Sequence, residues 1–256
     1  ENLMLALSLL LSLSSSSSAP LRRKDRVAHH PMVSRLLSLR LRGGDTAPGK
    51  SLTQDEIMQK LNAVPTFCIV DEDENLVNLQ TDEGEPAVRF FIDAGDAQEA
   101  LEMTVVGSPE LRSPHLSAMP LGVAFTACGN SRPGARFVMQ GPRRALDESE
   151  VEVRAQLEKQ NIDPDGWLLP VYCADDFQTE QLFPLFFSKD DLTAGWVRAG
   201  KPESEAMFLI TTVMDLRSLV LNMEHSDGMP WAIFQLVASK EAYALARELQ
   251  AAKTGS

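Results

Sequence analysis

The sequence has few of the residues from which most enzyme sites are built. It contains three cysteines and four histidines in 256 residues, and no CxxC pair. This cysteine usage indicates neither a disulfide framework nor a redox motif. The GxxxxGK[ST] phosphate loop, the GxGxxG dinucleotide turn and the GxSxG nucleophile elbow are all missing. The common catalytic signatures therefore give no support for an enzyme.

Charge is distributed unevenly along the chain. Residues 1–50 hold eight Lys/Arg and three acids, whereas residues 51–256 hold 16 and 33, a net charge of −17. A body this acidic repels phosphate backbones, so we expect no nucleic-acid partner. No run after residue 50 approaches the roughly 20 apolar residues of a membrane helix, which predicts a soluble mature protein.

The N-terminal region has the composition of targeting segments. Leu3–Leu13 is an apolar run of signal-peptide length, and a serine run and Ala19 follow it. We predict a signal peptide over 1–19 and a disordered, Arg- and Ser-rich, transit-peptide-like segment over 20–44. This two-part presequence is typical of algal plastids that lie behind endomembrane. The alternative is a secreted protein with a basic propeptide.

The rest of the chain contains two similar halves. AVRFFIDAGDAQEAL (Ala87–Leu101) and FPLFFSKDDLTAGW (Phe183–Trp196) each have an apolar run with a Phe pair, an Asp-rich turn and a helix-like segment. The other matches are Val64–Val77 with Leu169–Phe177, Met119–Gly129 with Met207–Leu216, and Ala135–Gln140 with Pro230–Gln235. The four matched segments follow one another in the same order in both halves. This shared order favours an internal duplication over two unrelated α+β segments.

We therefore predict an α+β fold of two strand-strand-helix-strand-strand-helix units, related by a pseudo-twofold axis in a single two-lobed body. The first lobe, with a leading helix, spans 45–160, and the second spans 161–256. Predicted first-unit strands are Thr66–Val70, Ala87–Ile92, Leu121–Ala127 and Arg136–Gln140, with an extra pairing at Asn75–Leu79. Predicted helices are Ser51–Leu61, Asp96–Val105, Glu148–Gln160, Ser188–Ala199 and Lys240–Ala252. Predicted capping pairs are Thr53 with Glu56, Asp96 with Glu99, and Ser188 with Asp191.

Few side chains are candidates for chemistry. Cys68 and Cys173 hold the same place in the two halves, which allows a thiol hypothesis, but cysteine after an aromatic residue in a strand is typical of a buried core. His115 and His225 have no metal-ligand spacing, and His225 is predicted in a loop. The acidic run Asp71–Glu74 lacks the pattern of a calcium loop and predicts a hairpin turn. We predict no catalytic, cofactor-binding or metal-binding residue.

Methionine is plentiful, and its flexible side chain suits apolar grooves that accept several partners. Core filling is the favoured role for most of these residues. The methionines considered are Met58, Met103, Met119, Met139, Met207, Met214, Met223 and Met229. An acidic rim beside an apolar groove would attract basic amphipathic segments such as transit peptides.

The motif order resembles one known family. VPTFCIVDEDENLV, FFIDAGDAQEAL, RFVMQGPRRALDESEVEVRAQL, PDGWLLPVYCADDF and FPLFFSKDDLTAGW follow one another as in the 22-kilodalton subunit family of the chloroplast inner-envelope protein translocon. The resemblance covers roughly residues 52–250, although MQGP replaces the family's PDP-like ending.

The resemblance implies a soluble, chaperone-like component of plastid protein import, located in an envelope intermembrane space and without catalytic residues. Its implied partners are preproteins, transit peptides and other translocon subunits. Peripheral membrane association and oligomeric state stay open. The alternatives are a thiol-dependent enzyme and a stationary assembly subunit of a plastid membrane complex.

Overall fold

The computed structural model describes residues 49–80, 85–129 and 136–254, so the predicted targeting segments 1–19 and 20–44 lie outside the described residues. The strands are β1 (Pro65–Val70), β2 (Leu79–Gln80), β3 (Pro86–Phe91), β4 (His115–Pro120), β5 (Phe137–Gln140), β6 (Pro170–Ala174), β7 (Phe183–Phe186), β8 (Thr211–Asp215) and β9 (Phe234–Val237). The helices are α1 (Gln54–Leu61), α2 (Ala94–Gly107), α3 (Leu121–Gly129), α4 (Arg143–Lys159), α5 (Lys189–Arg198), α6 (Glu203–Ala206), α7 (Leu216–His225) and α8 (Lys240–Thr254). The fold is α+β, as predicted.

The strands form two sheets with the same order and orientation. In sheet 1, β1 lies between β4 and β3 and is antiparallel to both, and β5 adds to β3 in parallel. In sheet 2, β6 lies between β8 and β7 and is antiparallel to both, and β9 adds to β7 in parallel. The two-residue β2 is an extra strand of sheet 1, antiparallel to β3.

The register identifies corresponding positions in the two sheets. Phe67 lies opposite Phe91 in sheet 1, and Tyr172 lies opposite Phe186 in sheet 2. This register agrees with the predicted match of Phe67 with Tyr172. It shifts the predicted alignment of the two Phe pairs by one residue, because Phe91 corresponds to Phe186. Side chains alternate along a strand, so a one-residue shift exchanges the two faces.

The predicted third strand Leu121–Ala127 is wrong. These residues belong to helix α3, and the strand is β4, immediately before it. Helix α3 contacts α1, β1, β4 and β5, and Gly122 allows close approach to α1, since a Cβ there would lie 2.4 Å from Asn62 Oδ1. A helix with contacts on several sides lacks an amphipathic period and resembles a buried strand in sequence.

The second half requires the same correction. Of the predicted strand Met207–Leu216, only β8 is extended, and Leu216 begins α7. In each half a helix, α3 or α7, therefore lies between the third and fourth main strands, where none was predicted, and the second half also has the short α6 before β8. The extra helices, α3 and α7, both contact the leading helix α1.

Two of the three predicted helix caps are confirmed. Thr53 and Glu56 form a capping box at α1, and the Ser188 hydroxyl accepts the Asp191 N–H at α5. The Asp96–Glu99 pair is wrong: Asp93 caps α2 and accepts the Asp96 N–H at 2.9 Å. Helix α4 also begins earlier than predicted, directly after Pro142.

The last helix of each half packs against the sheet of the other half. Helix α4 contacts β6 and β8 of sheet 2, and the Tyr172 hydroxyl donates to Ala145 O of α4 at 2.9 Å. Helix α8 contacts β1 and β4 of sheet 1 and buries Ala242 and Leu245, with Ala246 and Leu249 half-buried on the predicted apolar face. The main apolar core contains residues of both sheets.

Candidate binding surfaces

The three thiols lie in the interior. Cys68 and Cys173 are almost completely buried within β1 and β6, and Cys128 is buried in α3. Burial raises the pKa of Cys68 and of Cys128 to about 12, and it raises the pKa of Cys173 as well. A thiol with such a pKa carries almost no thiolate at neutral pH. The core interpretation of Cys68 and Cys173 is confirmed.

The acidic run Asp71–Glu74 forms the predicted turn, in which one Asp71 oxygen accepts the N–H groups of Asp73 and Asn75. Glu74 accepts Lys253 Nζ of α8 at 2.9 Å and lies 3.3 Å from His115 Nε2. These contacts, Lys253 first, lower the pKa of Glu74. The network joins the first hairpin to the last helix, across a sequence separation that no local pattern could reveal.

The predicted loop position of His225 is wrong, since His225 is the last residue of α7 and its Nδ1 lies 3.1 Å from Leu221 O. Within the described residues, no group of three or more His, Cys, Asp or Glu side chains could hold a metal ion. No described helix is long and apolar enough to cross a membrane.

Two exposed apolar patches lie in corresponding connections of the two halves. The first-lobe patch, at the end of α2 before β4, contains Met103 (63% exposed), Val105 and Val106 (83%). The second-lobe patch, between α6 and β8, contains Met207 (77%), Phe208 (79%) and Ile210 (68%). Large apolar side chains this exposed, grouped rather than scattered, mark interaction sites.

Acidic side chains accompany the patches. Helix α2 carries Asp96, Glu99 and Glu102 and no basic residue, and Glu102 lies one residue from Met103. The exposed Glu203 and Glu205 of α6 directly precede the second-lobe patch. The prediction placed an acidic rim beside an apolar groove, whereas here acidic side chains accompany exposed apolar patches. Of the eight methionines considered, Met103 and Met207 lie in the patches, whereas the buried ones fill the core: Met119, Met139, Met214, Met223 and Met229.

A third apolar surface is a groove between α8 and β4, which we call the α8 groove. Its volume is about 670 Å³, within the usual range of ligand pockets of about 300–1,000 Å³. Val64, Met119, Tyr243, Ala246 and Leu249 give it apolar walls. The charged residues that line it are Arg247 and Lys253, both basic, so the predicted acidic rim is absent from this groove.

A polar cleft of about 360 Å³ lies where the N-termini of α2, α4, α5 and α8 meet. Its charged groups pair with one another: Arg144 with Asp190 at 2.7 Å, and Lys189 with Glu148 at 3.2 Å. Burial raises the pKa of Asp96 and of Asp191. Side-chain carboxylates and hydroxyls accept the N–H groups at these helix N-termini. We therefore interpret the cleft as a structural contact between the two halves.

Two solved structures share this arrangement of sheets and helices. "Tic22 from Plasmodium falciparum" matches with a TM-score of 0.56 and 16% sequence identity, over 77% of this chain and 98% of that chain. The chain has the Tic22 fold. "Anabaena Tic22 (protein transport)" matches with a TM-score of 0.52 and 17% identity, over the same shares of the two chains. No protein-family model and no curated protein matches the sequence.

The Tic22 fold confirms the resemblance that the motif order indicated. Of the two, the Anabaena protein is described with protein transport. In this chain the fold presents two acid-flanked apolar patches and one basic groove. These surfaces were beyond sequence reasoning because the exposure of a given methionine depends on tertiary packing.

Proposed function

We propose that this Tic22-fold protein is a chaperone-like component of plastid protein import that binds preproteins in an envelope intermembrane space. The observation that carries the proposal is the Tic22 fold, which an Anabaena protein described with protein transport also has. The proposed clients are preproteins with basic, amphipathic transit peptides, and other translocon subunits are the proposed further partners. The presequence predicted over residues 1–44 supports the plastid location.

The two apolar patches are the proposed client-binding surface. Apolar burial contributes about 25 cal/mol per Å² before ordering costs are subtracted, so an unfolded segment gains by covering Met207 and Phe208. The acidic body attracts basic segments over a longer range, and salt screens that attraction. Folded clients expose little apolar surface and are released. Binding of this kind requires neither nucleotide nor a reactive group.

An internal duplication about a pseudo-twofold axis is part of the proposal. The shared strand order of the two sheets and the exchange of α4 and α8 between them support it. The first-lobe and second-lobe patches lie in corresponding connections of the two halves, which also supports a pseudo-twofold relation. Under this hypothesis each lobe contributes one client-binding surface, and removal of either patch reduces binding without abolishing it.

The test measures binding of a fluorescent transit peptide to the purified protein by anisotropy at low and high salt. The double variant Met207→Asp/Phe208→Asp should weaken binding by about tenfold or more, because it places charge in the apolar contact. The control Val151→Asp changes an equally exposed valine outside the patches and should bind like the wild type. Absence of any binding at low salt would refute the proposal. Tight co-purification with one partner would favour the alternative that the protein is a stationary assembly subunit of a plastid membrane complex.

A further inference from the structure

The edge strand β4 forms one wall of the α8 groove. Strand β1 is its only neighbour in sheet 1 among the described residues, so the opposite edge of β4 is unpaired there. Ala118, Met119 and Pro120 line the groove from this edge. An unpaired edge strand presents backbone donors and acceptors to which another chain can add.

The hydrogen bonds of β1 determine which groups of β4 face the groove. Thr66 Oγ1 donates to Met119 O and Cys68 Sγ to Ser117 O, so these carbonyls point toward β1. In an antiparallel pair, alternate residues direct both backbone groups to the partner or away from it. The N–H and C=O of Ala118 therefore point away from β1, and no other described residue bonds to them.

The corresponding edge of sheet 2 is closed. Val213 lies in β8 at the place that Ala118 occupies in β4, opposite Tyr172 and Phe67 respectively. Its carbonyl accepts Gln156 Nε2 of α4 at 3.1 Å. Lys253 stands at the same distance from the start of α8 as Gln156 from the start of α4, but it bonds to Glu74 and to Ser117 Oγ instead. The sheet 1 edge is thus left open.

The charged side chains of the α8 groove indicate which kind of segment it binds. Lys253 is paired with Glu74, whereas Arg247 forms no ion pair with any described residue and its Nε donates only to Tyr243 O. We propose that the α8 groove binds an extended, acidic segment of a partner protein, which pairs with Ala118 as an added strand. Apolar side chains at alternate positions of the segment contact Met119 and Leu249, and a carboxylate pairs with Arg247. This partner is distinct from the basic preproteins of the proposed function.

Two short labelled peptides test the proposal on the full chain. In the first, valine alternates with glutamate; in the second, lysine replaces every glutamate. Because the acidic body also attracts the lysine peptide at other surfaces, the readout is the effect of Arg247→Glu on each peptide. This variant should weaken binding of the acidic peptide by about tenfold or more, since it replaces attraction with repulsion, and it should not weaken binding of the lysine peptide. An unchanged affinity of the acidic peptide for the variant, or no binding of that peptide to the wild type, overturns the proposal.

N-methylation of the acidic peptide tests strand addition without altering the protein. Methyl groups on one alternate set of amides should weaken binding by about tenfold or more, and methyl groups on the other set should have little effect, since only one set faces β4. Ala118→Pro should weaken binding similarly, because it removes the outward N–H and spares the bonds to β1. Ala118→Val retains the N–H and is the control. If neither methylated set loses affinity, strand addition is excluded.

Discussion

Sheet 1 and sheet 2 have the same strand order but differ at three corresponding positions. Phe67 in sheet 1 corresponds to Tyr172 in sheet 2, whose hydroxyl bonds to the helix above it. Pro120 ends β4 where Asp215 ends β8. Lys253 stands where Gln156 closes the edge of sheet 2. At each position sheet 2 has a side chain that joins strand and helix by a hydrogen bond, whereas in sheet 1 only Lys253 does so, through Ser117 Oγ.

This difference indicates that the two sheets are stabilised in different ways. Sheet 2 is held by polar bonds within its core and at its edge, which restricts the positions of α4 and α7. Sheet 1 lacks counterparts of the Tyr172 and Asp215 bonds, and its edge strand is free beside α8 among the described residues. Two sheets of the same strand order can therefore differ in whether the edge strand is open or closed. The following predictions test this contrast, from the largest expected effect to the smallest.

The largest expected effect is at Asp215. Its buried carboxylate accepts Arg217 Nε at 2.8 Å and the Leu169 N–H at 2.9 Å, and it caps α7. Asp215→Ala should lower the free energy of unfolding by about 3–5 kcal/mol, because it leaves the largely buried Arg217 unpaired. Urea titration measures the loss. Pro120→Ala, at the corresponding place in sheet 1, should lower it by less than about 1 kcal/mol. Equal losses would contradict the contrast.

A smaller effect is expected at the central aromatic position. Tyr172→Phe should lower the free energy of unfolding by about 0.5–1.5 kcal/mol, since it removes one buried hydrogen bond. The reverse change, Phe67→Tyr, tests the proposed pseudo-twofold relation, under which the Ala242 carbonyl of α8 would take the place of the Ala145 carbonyl in sheet 2. We expect that variant to lie within about 1 kcal/mol of the wild type by urea titration. A loss of about 1–3 kcal/mol, the effect of an unpaired buried hydroxyl, would contradict the relation.

One pH effect should come from Glu74, in the first hairpin. The pKa of Glu74 lies below its ordinary value of 4.5 in the folded protein, chiefly through Lys253. The resulting stability is present above pH 4.5 and is lost as pH falls through the lowered folded pKa. Urea midpoints of the wild type and Glu74→Gln should therefore differ most near neutral pH and converge in acid. A constant difference down to about pH 3 would contradict this role of Glu74.

The smallest effect is expected at the thiols, where the two lobes should behave alike. Cys68 and Cys173 should resist iodoacetamide in the native protein and react after denaturation, because both are buried and their pKa values are raised. Mass spectrometry of peptides locates the label. Rapid native labelling of either cysteine would revive the hypothesis of a thiol-dependent enzyme.

The features predicted correctly are those with a local cause. A capping box such as Thr53 with Glu56 joins residues three apart, and the strands around Phe67 and Tyr172 have continuous apolar runs. The prediction failed at Leu121–Ala127, where a helix in contact with four other elements has no amphipathic period. It also failed at Asp96, because Asp93 lies three residues before it and meets the same capping rule.

The amino-acid sequence by itself determined the α+β class, the acidic character, the apolar strands and the starts of α1, α5 and α8, since these depend on neighbouring residues or on composition. Tertiary structure decided that α4 and α8 exchange sheets, that Met103 and Met207 are exposed while Met119 is buried, and that Ala118 faces an open groove. Those outcomes depend on contacts between residues far apart in the chain, and a side chain of one type has the same local signal whether it lies in a core or on a surface.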